Sequence, residues 1–291
     1  MRWLVTGAGG MLGRDTVREL TRRGEDVTAL DHTALDITHP ASVERAFTAH
    51  RPGLVVNCAA YTAVDDAERD EPRALRVNGD GPRLLARACA AHGARLIHVS
   101  TDYVFPGDAT APYPEDHPPS PRTAYGRTKL AGERAVLAEL PGASAVLRTA
   151  WLYGVHGRSF VRTMLELEAR RDRLDVVDDQ RGQPTWSADV ATRVADLGRR
   201  GGTGVFHATS TGETTWYGLA REIFRLTGAD PDRVRPVPAD AFPRPAPRPA
   251  YSVLGHARWQ QTGLGPLPDW RTSLHTALPL IREEIREGVR P

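Results

Sequence analysis

RWLVTGAGGMLG, residues 2–13, is the stretch that decides the fold. RWLVT (2–6) reads as a short, mostly apolar strand, and MLGRDTVRELTRRG (11–24) has helical periodicity that stops at a glycine. Gly7, Gly10 and Gly13 stand between them at G-x-x-G-x-x-G spacing. Glycines at a strand-to-helix junction permit a tight turn. They also let backbone N–H groups approach a pyrophosphate at the helix N-terminus. A plain turn would show the same spacing, so the surroundings must decide. Asp31 closes the next strand, DVTAL (26–30), 18 residues after Gly13. An acid there binds an adenosine ribose hydroxyl and favours NAD. Arg14, at the same end, is a partner for a 2′-phosphate, so NADPH and NADH both stay open.

Outward from this stretch the pattern alternates. Strands are expected at 54–59, 94–100 and 144–150, and helices at 40–50, 71–93 and 123–140. Such alternation indicates βαβ units in a parallel sheet. The second half is less regular, with helices at 160–171, 187–200, 215–228 and about 271–287 and a strand at 204–210. PVPADAFPRPAPRP (236–249) holds six prolines in fourteen residues, which excludes helix and central strand. The expected class is α/β, a Rossmann-type doubly wound parallel sheet with a smaller C-terminal α/β substrate domain. Residues 1–150 form the dinucleotide-binding domain in this reading. Residues 151–291 mainly bind substrate, with about 172–210 returning to the sheet.

Composition narrows the classes. At 291 residues, 40 % hydrophobic and 25 % charged, the chain has ample material for a core. The net charge is +2 with arginines scattered among acids, so no nucleic-acid partner is expected. No apolar run of about 18 residues offers a membrane span, and Met1 leads straight into a strand. The expected location is cytoplasmic. Cys58 and Cys89 fall in an apolar strand and an alanine-rich helix and are expected as buried free thiols. The histidines show no metal-ligand spacing, and no metal is expected. Asp65, Asp66 and Glu68 read as a solvated helix start.

The chemistry lies further along. ARLIHVSTDYVF (94–105) puts Ser100, Thr101, Asp102 and Tyr103 at a strand's C-terminal end, where open parallel sheets bind ligands. Tyr125 follows 24 residues after Thr101, and Lys129 lies one helical turn beyond it. Lys129 is the only lysine among 38 basic residues. Ketone reduction needs a hydride donor, a proton donor and a group that orients the carbonyl. A nearby ammonium stabilises a phenolate and lowers the tyrosine pKa from about 10.

These residues and their order resemble the extended short-chain dehydrogenase/reductase superfamily and, within it, the dTDP-4-dehydrorhamnose reductase family. The resemblance runs through TGAGGMLG, VVNCAAYTAVDDAE (55–68), RVNGDGP (76–82), STDYVF (100–105), YGRTKLAGE (125–133) and DQRGQPT (179–185). It implies Thr101, Tyr125 and Lys129 as a catalytic triad, the last two also bordering the cofactor. It implies Gly7, Gly10, Met11 and Leu12 at the pyrophosphate, Asp36 and Ile37 near the adenine, and Ala59, Ala60 and Tyr61 at the nicotinamide. Thr62, Val64, Asp102, Tyr103 and Trp151 would face the sugar, and Arg248 suits the substrate diphosphate. The implied activity is NAD(P)H-dependent reduction of the C4 ketone of dTDP-4-dehydro-L-rhamnose.

Related dehydratases carry glutamate where Tyr103 stands, which favours simple reduction here. Pro106 and Ser159 depart from the family's Asp and Asn. That keeps open a sister ketoreductase acting on another dTDP-4-keto-6-deoxyhexose, such as the precursor of dihydrostreptose. A cofactor-binding regulatory subunit, as in methionine adenosyltransferase, is a rival of another class. Assembly as a homodimer stays open, as does the Mg²⁺ that some members hold between subunits, where Asp15 lies near one of the positions.

Overall fold

The computed structural model describes residues 1–287. Its first half runs β1 (Arg2–Thr6), α1 (Met11–Arg22), β2 (Asp26–Leu30), α2 (Pro40–His50), β3 (Leu54–Asn57), α3 (Val64–Ala67), α4 (Glu71–Leu75), α5 (Gly81–His92), β4 (Arg95–Thr101), α6 (Ala124–Glu139) and β5 (Ser144–Thr149). The second half continues with β6 (Leu152–Tyr153), α7 (Phe160–Glu168), β7 (Leu174–Val177), β8 (Arg181–Gly182), β9 (Thr185–Trp186), α8 (Ser187–Arg200) and β10 (Gly204–His207). Then come β11 (Ser210–Thr211), β12 (Thr214–Thr215), α9 (Trp216–Thr227), β13 (Val234–Val237), β14 (Leu267–Asp269) and α10 (Trp270–Glu287).

Six strands form one sheet in the order β10-β5-β4-β3-β1-β2, with every pairing parallel. Side chains alternate across it. Trp3 and Val5 of β1 enter a core with Leu12 and Leu20 of α1 and Val190 and Val194 of α8. Leu4 points the other way, into a core with Phe47 of α2, Leu85 of α5 and Val136 of α6. Helices therefore cover both faces, as an all-parallel sheet requires. Each fully buried Leu or Phe contributes about 1.5–3 kcal/mol.

The chain leaves β1 toward β2 on one side and returns to β3 on the other. That change of direction opens a crevice at the strands' carboxyl ends. Within 172–210, α8 docks on α1, where Ser187 Oγ donates to Asp15 Oδ2 at 2.5 Å, and β10 extends the sheet beside β5. β7 instead pairs with β13, and around these strands α7, α9 and α10 gather a third core that includes Ile223, Phe224, Leu274 and Ile281. Pro236 sits in that two-stranded ladder, away from the central sheet, where a missing N–H is tolerated.

The expected helix 71–93 is divided by a π-helical turn, Arg76–Asp80. Pro82 explains the irregularity: it has no N–H to give the carbonyl of Asn78, four residues back. The freed carbonyl faces α6, where a Cβ on Gly132 would lie 2.1 Å from Asn78 O. The closest atom is backbone and cannot swing aside. Gly132→Ala is therefore expected to lower stability by about 1–3 kcal/mol, read as a reduced urea midpoint; an unchanged midpoint would contradict this packing.

Candidate active site

The glycine turn lies in the crevice. Gly7 has φ +62°, and a Cβ there would stand 2.6 Å from Ala59 N. Only glycine allows both that dihedral and that approach. A side chain on Gly13 would strike the Gly7 carbonyl. Gly10 N-caps α1, and no side chain supplies a capping bond. The first-turn N–H groups, including those of Met11, Leu12 and Gly13, thus have no intrahelical acceptor and carry the positive end of the helix dipole. The cradle fits a pyrophosphate.

Asp31 and Arg14 both border Gly9. A Cβ on Gly9 would lie 3.6 Å from Asp31 Cβ, and Arg14 Nε donates to Gly9 O at 3.0 Å. Asp31 Oδ1 accepts from Thr33 N, Thr33 Oγ1 and Ala34 N, which holds its carboxyl below the usual range. Asp36 makes the same kind of turn with Thr38. Ile37 is buried in the core against Gly81. Ala59, Ala60 and Tyr61 follow β3, and Tyr61 is gripped by Asn78, which accepts its N–H at 2.8 Å and donates to its carbonyl at 3.0 Å.

Thr101, Tyr125 and Lys129 meet where β4 ends under α6. Lys129 is 2 % exposed, and its Nζ donates to Val99 O at 2.7 Å. Burial lowers its pKa to about 8. Thr101 Oγ1 donates to Asp102 Oδ1 at 2.9 Å and accepts from Tyr103 N at 3.2 Å. Asp102 is buried, and its Oδ2 has no partner among the described residues; burial pushes its carboxyl up to about 6. The expected lowering of the Tyr125 pKa is not what the structure gives. Burial pushes the phenol up to about 12, the Thr101 hydroxyl pulls it down, and the Asp102 charge pushes it up. Desolvation is the largest effect and outweighs the Thr101 hydrogen bond; the ring also packs against Tyr103, edge to face at 5.5 Å.

Beyond Tyr103 opens a cleft of about 760 Å³, walled by Trp151, Trp216, Phe242 and Arg248 among others. Trp151 stacks on Trp216 with centroids 3.5 Å apart and planes within 5°. Its backbone is left-handed, φ +46°, and its indole covers Gly182, where a Cβ would lie 2.4 Å from Trp151 Cε2. The proline-rich segment supplies the opposite wall. Thr62 is exposed and Val64 half-buried, and neither lines the cleft.

With this geometry in place the comparisons with known proteins are decisive. The family model for the RmlD substrate binding domain matches residues 1–282. The chain belongs to this family. It is 63 % identical over 97 % of its length, and 96 % of the relative's, to a probable dTDP-4,6-dihydroxy-2-methyloxan-3-one 4-ketoreductase of Streptomyces antibioticus. It is 58 % identical to a dTDP-4-dehydrorhamnose reductase of Streptomyces griseus, over 96 % of this chain and 94 % of that one. The dTDP-4-dehydrorhamnose reductase of Bacillus anthracis, solved in complex with NADP, superposes with TM-score 0.92 at 36 % identity, covering 96 % and 98 % of the two chains.

Several functional neighbours in this family member escaped the sequence reading. Asp65, taken as a solvated helix start, instead reaches the proline-rich wall. Its Oδ2 receives Arg248 Nη2 at 2.8 Å, its Oδ1 receives Ala246 N at 3.2 Å, and Arg244 lies 3.8 Å away. The Arg248 guanidinium is thus paired within the protein. Trp216 and Gly182 were missed as well, although Gly182 lies in the DQRGQPT block. Asp65→Ala is expected to loosen the wall. Hydrogen exchange at the Ala246 amide should speed up roughly tenfold for each 1.4 kcal/mol of local stability lost; unchanged exchange would show that the loop is held by other contacts.

Proposed function

We propose that this chain is an NAD(P)H-dependent reductase of the C4 ketone of a dTDP-4-keto-6-deoxyhexose, with dTDP-4-dehydro-L-rhamnose as substrate and dTDP-L-rhamnose as product. The observation that carries the reading is the meeting of Thr101, Tyr125 and Lys129 between the glycine cradle and the aromatic cleft. Gly7, Gly10, Met11, Leu12 and Gly13 would hold the pyrophosphate at the start of α1, with Asp31, Asp36 and Ile37 toward the adenosine and Ala59, Ala60 and Tyr61 toward the nicotinamide. The bound dinucleotide supplies the hydride that reaches C4.

The chain's own residues handle the proton and the sugar. Tyr125, kept protonated by burial, gives its phenolic proton to O4. An alkoxide is far more basic than a phenolate, so the transfer runs downhill without an ionised tyrosine at the outset. Lys129 stabilises the phenolate left behind and reaches the ribose. The Thr101 hydroxyl rotates, so its one proton serves either Asp102 or the carbonyl oxygen. Tyr103 and Trp151, which line the cleft, would face the sugar with Asp102 behind them, Thr62 and Val64 lie outside the cleft wall, and Arg248 would exchange Asp65 for the diphosphate. Residues 1–150 would form the dinucleotide domain and residues from 151 to 287 mainly the substrate domain, with segments of about 172–210 returning to the sheet. Cytoplasmic location fits this chemistry; no helix among the described residues is long and apolar enough to cross a membrane.

Mixing the protein with dTDP-4-dehydro-L-rhamnose and either NADPH or NADH, and following cofactor absorbance, tests the assignment. Rapid oxidation with product co-eluting with dTDP-L-rhamnose is expected. Tyr125→Phe should reduce kcat by about 10²- to 10⁴-fold. Lys129→Arg should lose most turnover with the circular dichroism spectrum intact, and near-normal activity in it would refute the role given to the ammonium. A second reading, a sister 4-ketoreductase with another preferred ketose, is favoured by the 63 %-identical relative and by Pro106 and Ser159. It predicts oxidation of cofactor with that ketose and little with dTDP-4-dehydro-L-rhamnose.

A further inference from the structure

Tyr125, Lys129 and Glu133 follow one another at four-residue spacing, so all three lie on one face of α6. Glu133 is 2 % exposed and Arg148, on β5, is 3 % exposed. Their contact is bidentate: Arg148 Nε donates to Oε1 at 3.0 Å and Nη2 to Oε2 at 2.7 Å. The guanidinium also lies 4.9 Å from the Phe105 ring centre, with Nη1 3.5 Å from Glu115 O and 3.5 Å from His207 Nε2. Burial and the Arg148 charge lower His207 to about 3, so it stays neutral and adds no competing cation.

A buried pair of this kind is a weak source of stability, because desolvation offsets much of the attraction. Its position suggests another use. The groups that act on Lys129 come from two elements besides its own helix. From β4 it meets the Val99 carbonyl and the His98 ring, which burial holds neutral. After β3 comes Cys58, whose thiol burial pushes up to about 12, so it too is neutral. Behind Glu133, on β5, Arg148 is a cation paired with that carboxylate. On α6 itself are Tyr125 and Glu133. Of these groups, Glu133 alone carries a negative charge at neutral pH. Burial favours loss of the lysine proton, and the Glu133 charge opposes that loss.

We propose that Glu133 is a positioning residue for Lys129, its carboxylate held in place by Arg148 so that the buried lysine keeps its ammonium form. The proposal rests on the reading of Lys129 as the group that serves Tyr125. Its sign follows from the acid–base type. A lysine with a depressed pKa loses its charge as pH rises through that value, so removing Glu133 moves the loss to lower pH.

The chain's single lysine allows a direct test that does not depend on turnover. Protein grown with lysine carrying ¹³C at Cε gives one NMR resonance, whose shift against pH is the titration of Lys129. The wild-type midpoint is expected near about 8. Glu133→Gln alone would strand a buried guanidinium, so the informative variant is Glu133→Gln with Arg148→Met, which removes both charges at similar volume. Its lysine midpoint is expected to fall by about one pH unit, a tenfold change in the ammonium ratio. The alkaline limb of kcat/KM should move with it, whereas Glu133→Asp, which keeps the charge, should restore the wild-type midpoint. A folded double variant with an unmoved lysine midpoint would overturn the proposal and leave the pair a structural one. If the resonance shifts but the wild-type protein reduces no ketose, the proposal stands and the catalytic reading of Lys129 fails instead.

Discussion

Two loops leaving adjacent parallel strands touch backbone to backbone where the sheet changes direction, and the rest of the molecule is arranged around that contact. Gly7 leaves β1 and packs on Ala59, which leaves β3, with no room for a side chain between them. The contact fixes the N-terminus of α1 in the crevice and brings the Ala59–Tyr61 loop beside it. Asn78 then grips Tyr61 from the far side, and its own carbonyl is free to face α6 because Pro82 cannot bond it. The irregular turn thus links the Ala59–Tyr61 loop to the helix that carries Tyr125 and Lys129. Displacing any of these glycines or the π turn would shift both halves of the site together.

Much of this was legible in the sequence because it is local. The central sheet's strands, of four to seven residues, and helices of nine or more show their periods, so the alternation, the sheet class and the crevice could be read from spacing alone. Thr101, Tyr125 and Lys129 were visible because one strand end and one helix turn hold them. The unread strands β6, β8, β9, β11 and β12 have two residues each and β14 three, too few to display a period, and the four-residue β7 and β13, which pair only with each other, went unread as well. The missed contacts are long-range. Asp65 and Arg248 are 183 positions apart, and nothing near Asp65 marks it as anything but an acid at a helix start. The Trp151–Trp216 stack depends on a left-handed tryptophan that no local pattern requires. The upward shift of Tyr125 was misread for a related reason: spacing shows the neighbouring charge but not the depth of burial, and burial is the larger effect.

Burial also explains why the wall of the cleft and the layer beneath it are built so differently. The wall is aromatic and proline-rich, tied across the cleft by Asp65 through groups that water still reaches. Such exposed ion pairs are individually weak and can be exchanged for a ligand's charges. Beneath the cleft, and not lining it, Lys129, Asp102, Glu133 and Arg148 are buried. Charges there interact strongly, and each must be matched or it neutralises. Asp102, with one carboxylate oxygen unpartnered, is drawn toward its neutral form. Glu133, gripped by two guanidinium nitrogens, keeps a partner for its charge.

The same contrast accounts for lysine at position 129 in a chain that otherwise uses arginine. The slot offers one carbonyl, Val99 O, at 2.7 Å. An ammonium satisfies it with one of its three donors. A guanidinium would bring five donors in a rigid plane into a space with one acceptor in place, and each unmatched donor would carry a desolvation cost. Nor could arginine be tuned, since it stays protonated at any working pH, whereas burial and Glu133 together hold Lys129 near the range where its charge responds to its surroundings. On exposed faces, where water completes the shell of either cation, the difference carries little penalty, and there this sequence uses arginine throughout.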